Sequence, residues 1–168
     1  MSEAAKPFDP LAILETLERH RVAFILVGDL AGVIHGTDEI ANSVDICPQM
    51  KADNLERLGK ALDALEARTG EGERVAVDGT VLAGQATVAL ESPAGDIAIV
   101  PQPEGTTGYD DLRRKATREP LGGGVRASVA RVDDLARIIS AAGATHDADR
   151  LAALRHIAER ELGRGISR

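Results

Sequence analysis

The chain has 168 residues, of which 43% are hydrophobic and 28% charged, with a formal net charge of −7; this balance fits one globular domain and excludes a disordered chain. The acidic excess argues against a general nucleic-acid binder, and aromatics at 2% with no Trp leave little that could stack on bases. A single cysteine, Cys47, excludes an internal disulfide; no apolar run has the length of a membrane span, and Met1–Pro7 lacks the apolar core of a signal peptide, so a cytoplasmic protein without membrane contact is expected.

Residues 1–8 read as a flexible tail, and 9–168 as a single domain whose part from 131 to 168 is helical. Asp9 followed by Pro10 is a helix start: Asp accepts from orphan N–H groups and Pro suits the first helical position. Leu11, Leu14 and Leu17 continue at helical spacing, and the helix is expected to end near Arg21. Val22–Val27 is a continuous apolar run bounded by Gly28 and reads as a buried strand. Leu30–His35 suits a short helix closed by Gly36. A polar connection, Thr37–Asn42, leads to a second strand, Ser43–Cys47, stopped by Pro48.

Leu55, Leu58, Leu62 and Leu65 then mark one face of a helix over Asp53–Leu65. Thr69–Arg74 reads as a loop. Gln85–Leu90 and Asp96–Val100 form a strand pair joined by a longer turn around Ser92–Gly95. Pro101–Gly108 is a loop and Tyr109–Ala116 a short helix. Gly122–Gly124 precedes a short strand, Val125–Val129, and helices over Val132–Ala142 and Asp147–Leu162 finish the chain. There is no internal repeat. The order predicts an α/β domain with a mixed sheet flanked by helices.

The stretch Phe24–His35, followed by Asn42–Cys47 with its single acidic residue Asp45, resembles the signature of the nucleotidyltransferase superfamily, the DNA-polymerase-β-like fold. Asn54–Arg57, Gly95–Val100, Gly108–Leu112, Val129–Leu135 and Ala141–Gly143 with Asp147 extend the resemblance over nearly the whole chain. They point to a branch of minimal nucleotidyltransferases that includes abortive-infection and toxin–antitoxin toxins. The resemblance implies a strand ending in Gly-Gly or Gly-Ser that cradles a nucleotide triphosphate, and carboxylates on two strands that hold Mg²⁺. Gly28 and Asp29 stand at the glycine pair. Ser43 stands where the first strand carboxylate belongs, Asp45 at the second, and Ala98 at the third, with Asp96 two residues earlier and about 7 Å away on the same strand face. Positions that commonly carry Lys and Arg in the last helices hold Ile139 and Ala144.

Two readings follow. In the first, the scaffold persists but the metal and triphosphate site is partly lost, and the chain acts as a binding or regulatory protein with a protein partner. In the second, an active enzyme moves a nucleoside monophosphate from an NTP to a hydroxyl of a protein, RNA or small molecule. Asp45 and Asp96 would then be catalytic and hold Mg²⁺, with Gly28, Asp29 and Ser43 at the nucleotide. The first is preferred because several charged positions are altered at once, and a neutral Ser43 is a poor substitute for an anionic Mg²⁺ ligand. A structural subunit with no nucleotide site is the third option. Each residue also has an ordinary role. Asp29 suits a helix start, Asp96 a position after a turn, Asp45 a solvated strand end, Cys47 a small buried hydrophobe, and Arg113–Lys115 a solvated helix face.

Overall fold

The computed structural model describes residues 7–74, 87–143 and 148–166, with side chains to 161. Asp9 caps the first helix, α1 (Pro10–Arg19), its Oδ1 accepting from Ala12 N at 3.2 Å. Strand β1 (Phe24–Val27) is buried throughout and runs directly into α2 (Gly28–His35), which Gly36 closes at φ +112°. Then come β2 (Ser43–Pro48), α3 (Ala52–Ala64), β3 (Val88–Ser92), β4 (Gly95–Ile99), α4 (Tyr109–Leu112), β5 (Thr117–Gly122), β6 (Val125–Val129), α5 (Val132–Ala142) and α6 (Ala148–Ile166).

The six strands form one sheet in the order β3-β4-β2-β1-β6-β5. β1 is antiparallel to β2 and parallel to β6; β2 is parallel to β4; the outer pairs β3–β4 and β5–β6 are antiparallel hairpins. The mixed sheet with flanking helices is the architecture expected from the element order. Pairing partners share a face of a sheet and neighbours along a strand alternate. Val44, Ile46, Leu90, Ile97 and Ile99 therefore point one way and are all but fully buried; α1 and α3 pack together there with Ile13, Leu14, Leu17 and Leu58. Each such side chain contributes about 1.5–3 kcal/mol by leaving water. Ser43, Asp45, Asp96 and Ala98 point the other way.

Two local expectations are corrected, and one strand is added to them. The β3–β4 connection is a tight turn of two residues, Pro93 and Ala94, with Ser92 Oγ donating to Gly95 O at 2.6 Å, and not a longer turn. The segment after Tyr109 holds one helical turn, ending at Leu112. Thr117–Gly122 is an edge strand that no apolar alternation announces; Pro120 sits in it as edge strands allow, and pairing with β6 forms it. Gln85, Ala144 and Asp147 lie outside the described residues. Phe8 packs against the core near Gly95, and Asp9 N donates to Ala94 O at 2.7 Å. Among the described residues no helix is long and apolar enough to cross a membrane.

A buried side chain holds the entry to the sheet. Asn54 of α3 is fully buried; its Oδ1 accepts from Ala23 N at 2.7 Å, and its Nδ2 donates to Ala23 O at 2.9 Å and Gln49 O at 2.8 Å. It thus ties α3 to the residue before β1 and to the residue after β2. Asn54→Ala leaves one donor and two acceptors without this partner, and urea denaturation is expected to show a loss of about 3 kcal/mol. A loss below about 1 kcal/mol would mean that water replaces the side chain at little cost.

Candidate functional site

The β1–β2 register places Val27 opposite Asp45, so the residue after Val27 meets the Asp45 side chain. That residue is Gly28, at φ +76°. A Cβ added there would lie 2.3 Å from Asp45 Oδ2 and 2.9 Å from its Cγ. Glycine is required twice over: for a backbone angle that L-residues reach at a cost, and for the space the carboxylate occupies. Ser43 Oγ donates to the other carboxylate oxygen, Asp45 Oδ1, at 2.6 Å.

Burial pushes the Asp45 carboxyl above the ordinary 3.8; the Ser43 hydroxyl pulls it down, the neighbouring Asp29 charge pushes it up, and Arg150 pulls it down. Asp29 stands in the first turn of α2, where a negative charge suits the helix dipole. Its carboxylate takes Arg150 of α6: Arg150 Nη2 lies 3.0 Å from Asp29 Oδ1. Arg150 Nε donates to Glu39 Oε1, in the connection between α2 and β2. A helix near the chain's end thus carries a guanidinium to two carboxylates of the segment that follows β1. Glu39 Oε2 is buried without a hydrogen-bond partner among the described residues, close to Gly32.

Between these groups lies a cavity of about 40 Å³, lined by Gly28, Gly32, Glu39, Ile139, Arg150 and Leu154 among others. It has room for water and is far below the roughly 300–1,000 Å³ of small-molecule sites. A larger cleft, about 330 Å³, lies toward the β3 edge and is lined by Ser43, Gly70, Glu91, Asp96 and Ala98 with their neighbours. Glu91 and Asp96 sit directly across the β3–β4 pair, so two like charges face this cleft.

The structure therefore brings Gly28, Asp29, Ser43 and Asp45 together. It places Asp96 beside Ser43 and Ala98 beside Asp45. Asp96 keeps the face of Asp45 but is two pairs away along the strands. Among the described residues no group of three or more His, Cys, Asp or Glu side chains is placed to hold one metal ion. Cys47 is fully buried, its Sγ 3.6 Å from Pro101 O; burial, with Asp111 nearby, pushes the thiol up to about 12, as suits a packing residue. His35 Nε2 donates to Ala130 O at 2.8 Å, tying α2 to the end of β6.

Glu39 and Arg150 escape sequence reasoning. Glu39 lies in an unpatterned polar connection, and Arg150 is one of several charges on a helix. Their pairing spans 111 positions, and no local spacing signals it.

No protein-family model matches the chain, and no curated protein matches it in sequence. Among solved structures, a Thermotoga maritima protein provisionally assigned as a nucleotidyltransferase is similar in fold: TM-score 0.54 at 14% identity, over 84% of this chain and 86% of that one. The fold is nucleotidyltransferase-like, and at this identity the likeness extends to the fold alone.

Gly28→Ala is expected to cost about 3 kcal/mol or more in chemical denaturation, from the backbone angle and the clash together. In an Asp45→Ala background the carboxylate part of the clash disappears. A double-mutant cycle should then show a coupling of about 1 kcal/mol or more, the remainder being backbone strain. Asp45→Asn tests the electrostatics. With the folded-state pKa raised above 3.8, the ionised group opposes folding at neutral pH, and that cost is lost as pH falls through the Asp45 titration. The variant should melt higher than the parent at pH 7, with the difference shrinking as pH drops toward 3.8. A difference independent of pH would refute the assignment.

Proposed function

We propose that this chain is a nucleotidyltransferase-fold protein that has lost part of the metal and triphosphate site and acts as a binding or regulatory protein. The observation that carries the reading is the β2–β4 register: Asp45 faces Ala98, not a carboxylate. A two-metal mechanism needs several carboxylates on the same ions, to align the phosphates and lower the pKa of the attacking hydroxyl. Here Asp45 has Ser43 on one oxygen and Gly28 against the other. Asp96, beside Ser43, is two pairs away and stands opposite Glu91. This donor set does not fit a two-metal clamp.

The charges near Gly28 support the same reading. A triphosphate seeks N–H donors and free cations. Around Gly28 it would meet Asp29, Asp45 and Glu39, with Arg150 already engaged by two of them. A protein partner, as in toxin–antitoxin pairs, belongs to the proposal through the family resemblance, and a cytoplasmic setting through the single cysteine and the sequence pattern. The competing reading is a Mg²⁺-dependent transferase with Asp45 and Asp96 as metal ligands. One observation favours it: a largely buried carboxylate with a raised pKa against a positive-φ glycine is an arrangement common in active sites.

Calorimetric titration with ATP, GTP, CTP and UTP in the presence of Mg²⁺ separates the two. The proposal expects no metal-dependent binding tighter than about 1 mM, for the parent and for Asp45→Ala alike. Micromolar, Mg²⁺-dependent binding that Asp45→Ala abolishes would establish the transferase instead.

A further inference from the structure

We propose that α6 is a strap closed over the Gly28–Asp45 site, and that Arg150 is its latch. α5 and α6 are held to the body differently. α5 buries Val132, Asp134 and Leu135, and Arg137 joins it to α4 through Asp111 at 3.1 Å. α6 packs principally on α5, and among its described side chains only Leu154 is fully buried, with Ile157 and Ala158 partly covered. Arg150 and Leu154 are one helical turn apart, so they share a face, and both line the cavity at Gly28. Among the described residues, the strap is held by a narrow apolar stripe along α5 and by a guanidinium that engages Asp29 and Glu39.

Elements with few buried apolar groups open at the low end of the stability range. When α6 lifts, Arg150 leaves with it. The small cavity then becomes an open groove lined by Gly28, Gly32 and Glu39, with Asp29 and Asp45 beside Gly28. Closure covers the site and sets the guanidinium against Asp29 and Glu39 in one step; opening removes both. α5 stays in place through Val132, Asp134 and the Arg137–Asp111 pair, although Leu135, Ile138 and Ile139 lose their cover when Leu154 departs. What enters the groove rests on the proposed function; the strap itself does not.

Amide hydrogen exchange on the full chain tests this without any ligand, so its failure is distinct from failure of the nucleotide titration. Arg150→Ala should raise exchange across residues 152–161 by about tenfold, and Glu39→Gln should raise it in the same helix although the substitution lies far away in sequence. Arg150→Lys should retain most of the protection, since a cation remains. Raising NaCl to about 0.5 M should speed exchange of α6 in the parent, as screening weakens a partly exposed pair. The amides of β1 and β2 should keep their protection throughout. If Arg150→Ala does not fold, the Glu39→Gln and salt measurements decide. Unchanged α6 exchange in Glu39→Gln and at high salt would overturn the proposal. So would an equal rise in β1 and β2, which would mean that the pair supports the whole fold.

Discussion

The contact between the Asp45 carboxylate and the Cα of Gly28 organises the site. Two antiparallel strands, registered so that Val27 meets Asp45, bring the start of α2 against the side chain. Only a residue without a Cβ permits it. Once the carboxylate is pressed there, its surroundings follow from its cost. A desolvated charge calls for hydrogen bonds or opposite charge. Ser43 supplies the hydrogen bond, and Arg150, engaged by Asp29 and Glu39, supplies a positive field.

That solution differs from the one a two-metal enzyme adopts. There, buried carboxylates are balanced by cations from solution, and the same cations orient the phosphates. Here Ser43 and Arg150 each pull the Asp45 carboxyl down, and burial outweighs them. Among the described residues, the guanidinium of Arg150 beside the glycine turn is already engaged by Asp29 and Glu39. On the same sheet face, Glu91 and Asp96 oppose each other across the strands that line the open cleft. On the proposed reading, this nucleotidyltransferase-like fold carries a site with a different charge logic.

The elements near this site were readable because each rests on local chemistry. Asp9–Pro10 announces α1, the apolar run before Gly28 announces β1, and Gly36 announces the end of α2; all three stand at or within a few residues of those positions. The parity of Ser43 and Asp45 also follows from strand periodicity, whereas the place of Ala98 in the expected carboxylate set is implied by the family resemblance. β5 was not readable. Its residues are largely exposed, it contains Pro120, and it is defined by β6 lying alongside, with Arg118 reaching Glu18 of α1 at 3.1 Å. The tight β3–β4 turn was misjudged in length because the extent of pairing, not the composition of Ser92–Gly95, sets where a hairpin closes.

The sequence by itself determined the order of most elements, the glycine at the turn and the face that carries Asp45. These depend on residue type and on periods of two or 3.6, which act over a few positions. The tertiary structure alone decided the register that sets Asp45 against Ala98, the distance of Asp96 from it, and the union of Arg150 with Asp29 and Glu39. Electrostatic pairing depends on separation in space, and groups more than a hundred positions apart in the chain have none until the sheet and its helices are assembled.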